Sequence, residues 1–158
     1  MQLTNSPHDY AGAMGAAAVR SGTAEWRVRV DLGHGSYPHN VFVGVAKAGV
    51  ALSTCSTGYL LNQDHCRGYS AFWCRGRVEH ALDSPATRYV EYSGFPQCST
   101  GDVVTVRLDA DRGTLAYLLN GKLLKTLTAG VKGKALALVA STDDSGQSVD
   151  VVGYSRTP

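Results

Sequence analysis

Between residues 101 and 122 the chain reads GDVVTVRLDADRGTLAYLLNGK, with apolar residues at every second position on both sides of a turn. Val104, Val106 and Leu108 fall on one face, and so in turn do Leu115, Tyr117 and Leu119. Successive side chains of a strand point to opposite faces. This spacing therefore gives a strand one buried face, whereas on a helix it would scatter the same residues around the axis. The segment DADRG turns the chain, and Asn120-Gly121 supplies two central residues that accept positive φ, as a type I′ hairpin requires. KLLKTL then returns, so the stretch reads as a three-stranded antiparallel meander.

The same period recurs along the chain. In EWRVRVD, Trp26, Val28 and Val30 share a face, while VFVGVA (41–46) is apolar on both faces and reads as a central strand. YSAFWC (69–74) and RYVEY (88–92) are further strands, and ALALVAS and SVDVVGY flank TDDSGQ, a turn cluster of the hairpin kind. No segment keeps helical spacing over eleven or more residues. The expected fold class is all-β, a two-sheet antiparallel sandwich, with Trp26, Val43, Val106, Leu108, Leu115 and Tyr117 buried. Residues 1–20 show neither period and are expected to form a loosely attached N-terminal arm on a single domain spanning 21–158.

At 158 residues and 44% hydrophobic content, the chain is long enough for one domain with a substantial core. The net charge of +2 comes from 15 basic and 13 acidic residues with no dense basic cluster, which points away from nucleic acid and anionic membranes as partners. No apolar run approaches the roughly 20 residues needed to cross a bilayer. AGAMGAAAV (11–19) has the apolar character of a signal-peptide core, but no Lys or Arg precedes it, so the chain reads as non-secretory. Cys55, Cys66, Cys74 and Cys98 contain no CxxC pair and are expected to be free thiols in a cytoplasmic or otherwise intracellular protein.

Catalytic and metal motifs are imitated but not completed. GYSAF (68–72) has Phe72 where a nucleophile elbow needs its second glycine. DADRG places Asp109 and Asp111 at calcium-loop spacing, yet Gly113 and Asn120 stand where further oxygen ligands belong. His34, His39, His65 and His80, with Cys66 and Cys74, show no paired zinc spacing. No catalytic residue, metal or cofactor is expected, and the chain does not read as an enzyme.

Taken in order, these segments resemble the SPRY domain family. SGTAEWRVRV (21–30) is similar to the family's Gly-x-x-x-Trp-x-Val opening, VFVGVA to its second core strand, and GYSAFWCRGR to its Ser-plus-aromatic segment. GDVVTVRLDADRGTLAYLLNGKLL resembles its Gly-Asp strand, Asp-x-x-x-Gly turn and Asn-Gly hairpin, and KGKALALVAS and SVDVVGY its closing strands. Within the family, STGYLLNQD (56–64) and GVKGKALALVAS look most like the SPRY domains of SOCS-box ubiquitin-ligase adaptors. The resemblance implies a non-catalytic, monomeric module that binds a protein or peptide through inter-strand loops, with Tyr59 at the position of the adaptors' peptide-contacting tyrosine. The turn opened by Thr142 reads TDDSGQ and lacks the tryptophan those adaptors carry there, so the fold carries over and a particular peptide motif does not.

The candidate partner-binding residues are Tyr37, His39, Tyr59 and Thr142. Tyr37 and His39 lie in the loop before VFVGVA, where an aromatic body with a polar tip suits recognition. An alternative reading is a lectin-like sandwich in which Tyr37 stacks on a sugar ring.

Overall fold

The alternation becomes two six-stranded antiparallel sheets in the computed structural model, which describes residues 2–4, 11–35, 38–49, 68–82, 90–143 and 146–158. In chain order the strands are β1 (Gln2–Thr4), β2 (Ala11–Met14), β3 (Thr23–Asp31), β4 (Val41–Lys47), β5 (Tyr69–Trp73), β6 (Arg77–His80) and β7 (Val90–Tyr92). They continue with β8 (Val103–Asp109), β9 (Thr114–Leu119), β10 (Lys122–Leu127), β11 (Leu136–Thr142) and β12 (Ser148–Thr157). One sheet has the order β1-β12-β3-β8-β9-β10, and the other β2-β11-β4-β5-β6-β7.

The core lies where the inward faces meet. Val28, Val30, Val104, Val106, Leu108 and Leu115 from the first sheet join Val41, Val43, Val45, Phe72, Val78 and Leu136 from the second in one buried cluster. Each such side chain contributes about 1.5–3 kcal/mol through removal from water. Trp26, Val43, Val106, Leu108, Leu115 and Tyr117 are all buried, as the alternation requires. The Tyr117 hydroxyl crosses this layer and donates to Ser70 Oγ at 3.0 Å, pinning one sheet to the other.

Strand β4 is central, between β11 and β5, and both of its faces are buried. Its outward face carries Phe42 and Ala46, which pack with Tyr69, Ala71, Trp73, Ala81 and Val139 in a second cluster. Gly44 makes the tight β4–β5 approach possible, since a Cβ there would lie 2.0 Å from the Ser70 carbonyl oxygen.

The meander forms as expected, with β8, β9 and β10 adjacent. Asn120 and Gly121 both have positive φ, 49° and 80°. Two sequence expectations change. TDDSGQ is not a hairpin turn, because β11 pairs with β4 and β2 while β12 pairs with β3 and β1, so the segment crosses between sheets. A cluster of turn residues signals reversal of the chain but does not choose hydrogen-bonding partners. The N-terminal segment read as a loosely attached arm contributes edge strands β1 and β2, and Val19 is fully buried with backbone bonds to Leu136 in both directions.

Candidate functional site

At one end of the sandwich β3, β5, β9 and β11 finish and β4, β6, β8, β10 and β12 begin. The register Asp31↔Ser148, Val41↔Thr142, Phe42↔Trp73 and Val104↔Leu119 gathers the intervening connections there. Side-chain hydrogen bonds brace the described parts of these connections. Asp102 accepts from the Ser99 amide at 2.7 Å and from Asn120 Nδ2 at 2.8 Å, while Asn120 Oδ1 accepts from the Val103 amide at 2.9 Å. Thr100 Oγ1 accepts from the Leu32 amide at 3.0 Å.

The loop before β4 and the crossover after β11 are tied to each other through Gln147, which is fully buried. Its Oε1 accepts from the Asp143 amide at 2.8 Å and its Nε2 donates to the Pro38 carbonyl at 3.3 Å. Asn40 Nδ2 donates to Asp143 Oδ2 alongside. Strand alternation carries Asn40 onto the same outward face as Phe42, and Trp73 sits across from Phe42 with ring centroids 4.7 Å apart and planes at 24°. The guanidinium groups of Arg75 and Arg77 lie over the Trp73 ring, 4.9 and 4.2 Å from its centroid. Arg77 also pairs with Glu91 at 3.0 Å.

Among the described residues, the buried His39 Nδ1, Asn40 Oδ1 and Trp73 Nε1 have no hydrogen-bond partner. Nearly all buried polar atoms of a folded protein are paired, and each orphan costs about 1–3 kcal/mol. Asn40 offers an acceptor, Trp73 a donor, and the His39 nitrogen either according to tautomer.

Further along the same outward face, Glu79 is buried and accepts a 3.3 Å hydrogen bond from the Tyr69 hydroxyl. Burial, aided by Glu91, pushes its carboxyl up to about 7, against the opposing pull of the Tyr69 bond and Arg77. Among the described residues no group of three or more His, Cys, Asp or Glu is placed to hold a metal ion. His80 Nε2 lies 2.7 Å from the Ala129 carbonyl, at the end opposite His39. Asp109 instead caps its own turn, accepting from the Arg112 amide at 2.8 Å.

Of the residues singled out from sequence, His39 and Thr142 fall at this end, His39 two positions before Val41 and Thr142 paired with Val41. Thr142 is fully buried at the root of the crossover. Tyr37 and Tyr59 lie outside the described residues. The stems of the Tyr59 segment meet at the opposite end, where the Lys47 amide donates to the Gly68 carbonyl at 2.6 Å. Asn40, Trp73, Arg75, Asp143 and Gln147 were not singled out. The available signal was the alternation continued outward through N-V-F and W-C-R-G-R, which puts Asn40, Phe42, Trp73, Arg75 and Arg77 on one face.

The fold is an antiparallel β-sandwich of the SPRY type. The SPRY domain of human HERC1 matches with TM-score 0.64 at 19% identity, over 95% of this chain and 86% of that one. A second human SPRY domain matches with TM-score 0.68 at 13% identity, over 95% and 89%. The carbohydrate-binding module CBM66 from Bacillus subtilis shares the broader sandwich, with TM-score 0.55 at 10% identity over 99% and 91%. No protein-family model matches the sequence, and no curated protein matches it. Among the described residues no helix is long and apolar enough to cross a membrane.

Proposed function

We propose that the chain is a non-catalytic interaction module that binds a protein or peptide at the sandwich end built by Pro38–Asn40, Trp73–Arg75 and Thr142–Gln147. The carrying observation is the trio of buried, unpartnered atoms on His39, Asn40 and Trp73, which a main-chain peptide group would satisfy. The hydrogen-bonded loops around them supply a preorganised frame, which lowers the entropic cost of binding. Arg75 adds a half-buried cation beside the site.

The resemblance to SOCS-box adaptors adds Tyr59 and Tyr37 to the proposed surface. Tyr37 belongs to the loop that leads into Asn40. Tyr59 falls between Lys47 and Gly68, whose backbones pair at the far end. The two described cysteines are free thiols, which fits the reducing interior of a cell.

Affinity capture of the partner, followed by hydrogen exchange on the complex, tests this reading. Protection should concentrate in residues 38–40, 73–76 and 141–147. Protection confined to the outer face of the β3-containing sheet would refute it. A glycan array addresses the second reading, which the likeness to the carbohydrate-binding module favours.

A further inference from the structure

Two cysteines are brought together inside the core by backbone pairing. Cys74, directly after β5, is fully buried, and Cys98, in the connection leading to β8, is 2% exposed. The Cys98 amide donates to the Cys74 carbonyl at 2.9 Å. Standard bond lengths then hold the two α-carbons within about 6.8 Å, inside the separation a disulfide spans. Both backbones are anchored nearby: the Cys74 amide donates to the Val41 carbonyl at 2.9 Å, and the Phe95 amide to the Gly76 carbonyl at 3.1 Å. Little movement separates this pair from a cross-link.

We propose that Cys74 and Cys98 are a redox-modification site that closes to a reversible disulfide when the protein meets hydrogen peroxide. One thiolate attacks a peroxide oxygen, the O–O bond breaks, and a sulfenic acid forms while hydroxide leaves, taking the proton the thiol gave up to become water. The second thiolate attacks that sulfur, the S–O bond breaks and hydroxide leaves, taking a proton to become water. Two thiols and one peroxide thus give one disulfide and two waters, and a dithiol reductant reverses the modification.

Burial, then the Cys98 thiol, then Asp102 push the Cys74 thiol well above its ordinary value. Cys74 therefore rests as the thiol, and closure should accelerate as pH rises. The cross-link encloses β6 and β7 and fastens the turn that carries Arg75, immediately behind Trp73. It would stiffen the proposed binding end from the core side.

The full chain is treated with hydrogen peroxide, alkylated and mapped by non-reducing peptide mass spectrometry, both as wild type and with Cys55→Ser and Cys66→Ser combined. The expected result is a Cys74–Cys98 linked peptide, a mass loss of about 2 Da reversed by dithiothreitol, and a Tm rise of about 10 °C. Cys98→Ser in the double-variant background should abolish all three, and the wild-type map stands by itself if that variant does not fold. Both thiols recovered unmodified, sulfinic or sulfonic acids on the separate cysteines, or a linked pair that lowers Tm would each overturn the proposal.

Discussion

Glu79→Gln should change how stability depends on pH, and the magnitude follows from the environment of this carboxyl. The group is buried, with its acidity shifted from 4.5 to about 7 mainly by that burial. In the unfolded chain it ionises at its ordinary value. As pH rises through 4.5, the unfolded state therefore loses the proton first, and the folded state is increasingly penalised until its own carboxyl ionises near pH 7. The stabilising contribution is complete below pH 4.5, declines between there and about pH 7, and is gone above it. The shift corresponds to roughly 3 kcal/mol. Glutamine keeps an oxygen to accept the Tyr69 hydroxyl and never ionises. Urea unfolding of both proteins between pH 4 and pH 8 should show the variant gaining about 3 kcal/mol on wild type across that range. Taking the difference removes every other titrating group. A difference that stays flat with pH would refute the reasoning and mean that water or a charge partner reaches Glu79.

Two backbone predictions accompany this one. Gly44→Ala should destabilise by about 3 kcal/mol in denaturant unfolding, because the added methyl meets the Ser70 carbonyl at 2.0 Å and the Ala71 Cα at 2.5 Å in a sheet with no room to yield; an unchanged midpoint would show that β4 and β5 are farther apart. Gly121→Val should cost about 1–3 kcal/mol through backbone strain alone, since its φ is 80° and a Cβ there meets nothing within 4 Å; a Tm equal to wild type would mean the turn has another conformation.

The elements readable from sequence are those whose signal is local. β8, β9 and β10 announce themselves through alternation plus an Asn-Gly turn, and their pairing follows because adjacent strands joined by short turns pair with each other. β2 carries Ala-Gly-Ala-Met, with no alternation to read, and owes its conformation to the β11 edge more than a hundred residues away. The crossover at 143–147 carries hairpin-like residues, but what sends the chain to the other sheet is the pairing of β12 with β3, again non-local. The candidate site was partly legible for the same reason. His39 and Thr142 were reached through the loops that contain them, whereas Asn40 and Trp73 acquire meaning only when strand pairing brings their unsatisfied atoms onto one face.

The most direct test of the binding account is the affinity of the captured partner for Trp73→Phe. Phenylalanine preserves the stack on Phe42 and removes only the orphan N–H together with part of the ring. If that N–H is reserved for a partner carbonyl, the free protein loses no hydrogen bond, while the complex loses one worth about 1–2 kcal/mol, roughly tenfold in Kd. Kd should weaken about tenfold, beyond whatever follows from the fall in folded fraction that the smaller ring causes in the Phe42–Trp73 cluster. An unaltered Kd, or a Kd that weakens only in proportion to a fall in folded fraction, would contradict the account.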